Sequence, residues 1–305
     1  SPAFRSIFGT NVGIGSQSLV IDGTEEQKNR YLPRMATGEI IGSFCLTEPD
    51  AGSDAAAVKM TAKPKGDQFT LNGTKRFITN APKAQLFTVF ARTDPSEPGS
   101  RGVSAFLVDA NSPGISLGSP YTKMGQQGTY VCDVFFDDVV VDRKDLVGGK
   151  ENVGFKTAMK VLDKGRLHIS AISCGIAERL IEDSVRYARD RKQFGQAIGE
   201  FQLVQAMLAD SQTEFYAALC MVEETARRRD AGEKVAALAA SCKLFATEMV
   251  GRVADRAVQI HGGAGYVEDY GIERFYRDVR LFRIYEGTSQ IQQTVIAKDL
   301  LNRIS

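Results

Sequence analysis

The chain has 305 residues, with 38 Lys and Arg against 37 Asp and Glu, a formal net charge of +1. A quarter of the residues are charged and 43% are apolar, an ordinary globular composition that excludes disorder, a collagen or a coiled coil. The near-neutral balance gives no global steering toward nucleic acid, and no apolar run reaches the ~20 residues of a membrane span.

In chain order, the opening residues Ser1-Pro2-Ala3-Phe4-Arg5 lack the basic-then-apolar order of a signal segment. Ile7, Val12, Ile14, Leu19 and Ile21 then form an apolar helical stripe. Thr24-Glu25-Glu26-Gln27 predicts a second helix, with Thr24 as N-cap and Gln27 completing a capping box, ending near Gly38. From about 40 to 142 the pattern changes to alternation. Ile40–Leu46, Gln68–Leu71, Lys75–Thr79, Leu86–Ala91, Val103–Val108 and Tyr130–Val141 read as strands. Asn72-Gly73 between two such runs predicts a hairpin, and Pro64-Lys65-Gly66-Asp67 and Ser112-Pro113-Gly114 predict turns. Thr93–Gly102 reads as a solvated loop.

The helical period returns at Phe155, Met159 and Leu162, with a break predicted at Gly165 before Ile176, Leu180, Val185 and Tyr187. Phe201–Val222 forms another helix with Arg227-Arg228-Arg229 at a C-terminal end suited to the helix dipole. A third runs from Val235 and Leu238 through Lys243-Leu244-Phe245, Met249, Val253 and Ala257 to Ile260, and stops at Gly262-Gly263. Ile291, Val295, Leu300 and Leu301 mark the last. The order helix, β, helix predicts an α+β fold. It comprises a partial N-terminal helical domain (1–38), a middle β sandwich or barrel (39–148) and a C-terminal antiparallel four-helix-type bundle (149–305).

Five cysteines with no CxxC pair read as reduced, packed thiols in a reducing compartment. His168 and His261 are the only histidines, and no cluster has metal-ligand spacing, so no metal site is predicted. Packing or a backbone contact is the expected role of His261.

Three stretches could carry chemistry. Cys45–Asp54 offers hydroxyls (Thr47, Ser53) and small residues that let a flat or phosphorylated ligand approach, or forms an ordinary turn. Gln259–Tyr266 holds Gly-Gly-x-Gly after a helix. That order fits a C-cap with close backbone approach and excludes a dinucleotide fingerprint, which follows a strand. Arg283–Gln290 sets Glu286 between Tyr285 and Gly287 before a helix that Thr288 or Ser289 can cap. A carboxylate with an apolar neighbour can act as a general base there, or be a surface Glu near a helix start.

Taken together these stretches resemble the acyl-CoA dehydrogenase family. CLTEPDAGSDAAA at 45–57 and QIHGGAGYVEDYGIERFYRD at 259–278 match its two signatures. IYEGTSQIQ at 284–292 matches the catalytic stretch of straight-chain members, and Asp190–Gly195 a further motif. The resemblance runs from about Phe8 to Leu301. Family chains are longer and start with a helical domain, of which 1–38 is expected to be the tail.

The resemblance implies FAD as cofactor. Leu46, Thr47, Gly52 and Ser53 match a loop lining the flavin and the bound thioester, Ser53 facing both. Phe77, Ile78 and Thr79 match a stretch along the ring system, with Phe77 where many relatives carry Trp. Arg191, Gln193 and Phe194 match positions reaching the FAD of a neighbouring subunit. Gln259, Gly262, Gly263, Thr288 and Gln290 match other pyrophosphate and adenosine contacts.

Glu286 matches the catalytic base that removes the α proton of an acyl-CoA in α,β-desaturation, and its main-chain N–H matches part of the oxyanion site, with Gly287 beside the substrate. Some relatives place the base at the position of Gly165, which carries no carboxylate here. Asp163 and Arg166 match positions near the CoA moiety, or form an i,i+3 surface pair. The implied partners are a fatty acyl-CoA of the short- to medium-chain, straight-chain type, as in fatty acid β-oxidation, an electron-transfer flavoprotein, and further copies of the chain in a homotetramer. The implied location is a bacterial cytoplasm or a mitochondrial matrix. An acyl-CoA oxidase on the same fold and a catalytically impaired scaffold are the alternatives.

Overall fold

The computed structural model describes residues 2–303. The chain folds as two compact units, Ala3–Leu162 and Asp163 onward, the division falling inside one long helix.

The first unit opens with helices α1 (Pro2–Thr10), α2 (Ser16–Asp22) and α3 (Glu25–Ala36), with a π-helical turn at Asn11–Gly15 kinked at Gly13. Thr24 and Gln27 form the expected reciprocal capping box at the start of α3. The Gln27 amide also donates to the carbonyls of Lys144 and Leu146 at 2.8 Å, tying α3 to the end of the β region.

The β region is one seven-stranded sheet: β1 (Gly42–Cys45), β2 (Thr61–Lys65), β3 (Gln68–Thr79), β4 (Leu86–Arg92), β5 (Val103–Asp109), β6 (Ile115–Leu117) and β7 (Val131–Asp142). Its order is β1-β4-β2-β3-β7-β6, with β5 also paired to β4; β1/β4 and β2/β4 are parallel. Phe69, Leu71, Phe87, Val89, Phe106, Val134 and Val139 fill one core cluster. Leu19, Phe44, Leu86, Phe90, Leu107 and Val161 fill a second beneath the helices.

The hairpin expected at Asn72-Gly73 is absent, and β3 runs straight through it. The tight turn lies at Gly66-Asp67, within the expected Pro64–Asp67 turn, closing the Lys65–Gln68 pair of β2 and β3. Gly73 marks a bulge against β7, at φ 147°, where a Cβ would stand 2.9 Å from Cβ of Met60. The glycine serves close packing of a side chain, and Asn72 is held in the strand by paired bonds to Asp138 at 2.9 Å. β2 and β6 were not anticipated. Pro64 and Lys65 belong to β2 rather than to a turn, with Pro64 and Lys65 exposed.

The second unit is helical. The boundary-crossing helix α4 (Gly154–Asp190) is unbroken over 37 residues, so no interruption occurs at Gly165. A two-residue hairpin, β8 (Lys192–Gln193) and β9 (Gln196–Ala197), leads to α5 (Gln202–Asp230) and α6 (Ala236–His261). Then come α7 (Gly263–Tyr266), α8 (Ile272–Val279) and α9 (Ser289–Asn302). The core gathers Ile169, Leu180, Phe215, Val222, Met249, Val253, Val279 and Phe282. Arg227 and Arg228 end α5 as expected and pair with Glu224 and Glu233. α7 and α8 were not anticipated. Four of the five cysteines are buried and Cys220 is exposed; burial lifts the Cys174 thiol to about 11. Among the described residues no helix is long and apolar enough to cross a membrane.

Candidate active site

In the second unit, Thr288 is the N-cap of α9, its hydroxyl accepting from the Ile291 N–H at 3.2 Å. The two residues before it turn left-handed, Glu286 at φ 53° and Gly287 at φ 88°. A non-glycine residue there costs of order 1–3 kcal/mol and persists only when its surroundings over-determine it. They do so here. Lys243 on α6 donates to the Gly287 carbonyl at 2.7 Å, and Gln292 Nε2 donates to the same carbonyl at 2.9 Å and to that of Glu286 at 3.3 Å. A Cβ at 287 would stand 2.6 Å from Gln292 Nε2, so both the conformation and the space require glycine.

Lys243 is fully buried. Burial is the main cause that pushes its ammonium down to about 8; the Glu286 and Glu248 carboxylates oppose the shift and Arg166 adds to it. Glu248 in turn accepts from Ser289 Oγ at 2.6 Å and from Arg283 Nη1 at 3.2 Å. Tyr285 stacks flat on buried Phe282, centroids 5.8 Å apart, giving the apolar side of Glu286.

Gly165 lies against the Glu286 carboxylate. A Cβ built at 165 would overlap Oε2 and stand 3.0 Å from the carboxyl carbon. The glycine predicted to break α4 therefore makes room for a carboxylate while the helix continues. Next to it, Arg166 is buried and bonds Asp163 at 2.5 Å, the i,i+3 pair anticipated from spacing. Burial raises Asp163, against the opposing pull of Arg166.

In the first unit, Leu46 is buried and Thr47 half-buried, while Gly52 and Ser53 are exposed on a loop pinched by a Glu48–Ala51 bridge. Beneath them lies a buried ion pair. Lys75 Nζ meets Glu48 Oε1 at 2.7 Å and donates to the Leu46 carbonyl at 3.1 Å, and Glu48 accepts from the Lys59 and Met60 N–H groups at 2.6 and 3.0 Å. Burial is the largest influence on Lys75, lowering it against the attraction of Glu48.

The next residues form a second irregularity in the β3/β7 ladder. Arg76 N–H donates to the Thr47 carbonyl at 2.8 Å, and Phe77 sits at φ 58°, 59% exposed, its ring centroid 5.2 Å from that of Tyr121. Ile78 is buried, and the half-buried Thr79 has its carbonyl taken by Ser43 Oγ at 2.8 Å. Leu46, Thr47 and Phe77–Thr79 are thus joined through Lys75 and Arg76.

The second unit also holds a cleft of about 520 Å³ lined by Tyr187, Arg191, Gln193, His261, Gly262 and Gly263, among others. Gln259 is exposed outside this lining, and Phe194 is 93% exposed at φ 52°. His261 has the packing role expected, Nδ1 against the Ala257 carbonyl at 2.8 Å and its ring stacked on Tyr187 at 4.3 Å. Thr288 and Gln290 lie at the start of α9, Gln290 exposed.

These residues fit a flavin dinucleotide. A Cβ at Gly262 or Gly263 would meet nothing within 4 Å, leaving room beside the cleft. Arg191 is exposed with no carboxylate in ion-pair range among the described residues, and a guanidinium fork suits a pyrophosphate. Phe77, presented by a strand bulge with its ring open, suits a flat ring system.

Sequence reasoning passed over Lys75, Glu48, Lys243, Glu248 and Gln292. A usable signal existed for the lysines: Lys75 continues the inward register of Phe69 and Leu71, and Lys243 falls in the buried stripe of α6.

A half-buried carboxylate fixed beside a helix glycine, and surfaces open to a dinucleotide, suit a flavin-dependent oxidoreductase. The chain belongs to the acyl-CoA dehydrogenase family: residues 1–39, 43–139 and 152–301 match its N-terminal, middle and C-terminal domain models. It is 46% identical over 288 residues to a 3-(aryl)acrylate reductase of Clostridium sporogenes, covering 94% of this chain and 76% of that protein. It is 44% identical over 285 residues to the caffeyl-CoA reductase–Etf complex subunit CarC of Acetobacterium woodii, covering 93% and 75%. The butyryl-CoA dehydrogenase structure from Megasphaera elsdenii superposes with a TM-score of 0.95 at 37% identity, covering 99% and 78%. The cofactor of the family is FAD, and the chain is an FAD-dependent enzyme of that family.

Proposed function

We propose that the enzyme interconverts a saturated acyl-CoA and its α,β-unsaturated counterpart, with Glu286 as the group that takes the proton from Cα or returns it. The observation that carries this is the Glu286 carboxylate, held in a left-handed turn by Lys243 and Gln292 and seated against Gly165. An α proton of a thioester is weakly acidic, so its base must be fixed within reach and partly shielded from water. The main-chain N–H of Glu286 would polarise the thioester carbonyl, a donor of a kind worth about 3–4 kcal/mol.

FAD, when bound, supplies the two-electron exchange at Cβ. Leu46, Thr47, Gly52, Ser53 and Phe77–Thr79 would hold it from the first unit. Gln259, Gly262, Gly263, Thr288 and Gln290 are the proposed FAD contacts in the second. Arg191, Gln193 and Phe194 would instead reach the FAD of an adjacent copy in a homotetramer. Ser53, Asp163, Arg166 and Gly287 are the proposed acyl-CoA contacts. Electrons would pass to or from an electron-transfer flavoprotein, in the bacterial cytoplasm or mitochondrial matrix.

The test is flavin bleaching by saturated acyl-CoAs of graded length, with branched and aromatic members. Glu286→Gln should retain FAD and lose bleaching; turnover at the wild-type rate would refute the assignment. A second reading, net reduction of an enoyl-CoA, is favoured by the two curated relatives named as reductases. It predicts that reduced enzyme is reoxidised faster by aryl-acryloyl-CoA than oxidised enzyme is bleached by the saturated product. Rapid peroxide formation in air would instead indicate an oxidase.

A further inference from the structure

Lys243 has no assigned part in the chemistry, yet it is a fully buried ammonium directly under the Glu286–Gly287 turn. We propose that Lys243 is the positioning residue of this turn: its ammonium fixes the Gly287 carbonyl and, as a buried cation under the turn, favours an ionised and correctly aimed Glu286 carboxylate. The proposal rests on Glu286 being the base.

Three observations support it. First, the turn has two successive left-handed residues, one of them a glutamate, so it needs an external anchor. Lys243 supplies one from a different helix at 2.7 Å, whereas Gln292 supplies the other from the same segment. Second, a lysine fully removed from water is costly unless charge compensates it. The charged groups around it are Glu286 on the turn, Glu248 on α6, Arg166 with Asp163 on α4, and Arg283 preceding the turn. Of the two carboxylates that act on the ammonium, Glu286 has the larger effect, and Glu248 is also bonded by Ser289 and Arg283. Third, with burial bringing Lys243 to about 8, it is a cation throughout the acidic range in which a carboxylate gains or loses its proton. The attraction is mutual, so removing the ammonium makes Glu286 easier to protonate.

The test uses the FAD-loaded enzyme and two variants, Lys243→Met and Lys243→Gln, beside Glu286→Gln. In Lys243→Met the Gly287 carbonyl keeps Gln292, and Glu248 keeps Arg283 and Ser289, so no polar group nearby loses its last partner. FAD content is read by absorbance before any rate is measured. The expected result is single-turnover bleaching slowed about 10- to 100-fold, with KM changed less than about threefold. The acid limb of the kcat profile should move to higher pH by about one unit. Lys243→Gln, which keeps a donor without the charge, should recover part of the rate and leave the limb displaced. A wild-type rate with an unmoved acid limb, in either flavin-loaded variant, overturns the proposal while Glu286→Gln remains inactive. A fully active Glu286→Gln would instead overturn the reading of the base, so the two failures are distinguishable.

Discussion

Gly165→Ala separates helix stability from catalysis in a single methyl group. Gly165 is buried inside the unbroken α4, where alanine is intrinsically better than glycine by about 1 kcal/mol. Outside the helix's own backbone, the three atoms nearest the added Cβ all belong to the carboxyl group of Glu286: Oε2 in overlap, the carboxyl carbon at 3.0 Å and Oε1 at 3.6 Å. The obstacle is therefore the far end of a rotatable side chain, and the helix backbone need not shift. To restore ordinary contact the carboxylate must retreat by about 1–2 Å. A displacement near 1 Å at a reacting group costs about 100-fold in rate. Gly165→Ala should therefore bleach about 100-fold more slowly with a straight-chain acyl-CoA, while its Tm is unchanged or rises by up to about 3 °C. Stopped-flow bleaching and calorimetry on the same FAD-loaded sample provide both numbers. Wild-type bleaching with the higher Tm would refute the argument, because it would mean that Glu286 does not react from the position beside residue 165.

Two further substitutions test the scaffold of the first unit. Lys75→Met leaves the Glu48 carboxylate buried on two backbone donors and frees the Leu46 carbonyl. It should cost about 3–5 kcal/mol in urea unfolding, with FAD released more readily on gel filtration; an unchanged midpoint would refute the role of the pair. Gly73→Ala should destabilise by well over about 1 kcal/mol, since its φ of 147° and the 2.9 Å approach to Met60 both oppose a side chain. The open turn glycine Gly66, with nothing near a Cβ, should lose only about 1 kcal/mol as alanine. Equal losses would show that packing against Met60 does not matter.

The helix–β–helix order was legible because period 2 and period 3.6 alternate in long blocks, and caps such as Thr24 and Thr288 act through neighbours three residues away. Two glycines were misread for one reason. Asn72-Gly73 carries a turn signature and Gly165 a helix-breaking one, yet each is glycine because of an atom distant in sequence, Met60 in one case and Glu286 in the other. Local rules weigh conformational freedom; neither residue's partner is visible to them. The strands β2 and β6 escaped for a related reason. β2 is Thr61-Ala62-Lys63-Pro64-Lys65, polar along one face and interrupted by proline, and its pairing to β3, with β4 at its first residue, keeps it extended.

Glu286 itself could be singled out in the sequence only through the company of its neighbours, since a carboxylate before a helix is ordinarily an N-terminal charge. What the folded chain adds is a device used twice. Lys75 joins the Leu46 carbonyl to Glu48, and Lys243 holds the Gly287 carbonyl in the field of Glu286 and Glu248. In each case a buried ammonium fixes a main-chain carbonyl of a loop that carries candidate ligand contacts. Apolar residues of similar size would fill the same core space without the desolvation cost, often with equal or greater stability. A lysine standing in the inward register of a strand or helix is therefore read better as an anchor for the loop above it than as a flaw in the core. That reading ties both loops to interior charges, whereas surface turn chemistry alone would leave their carbonyls to water.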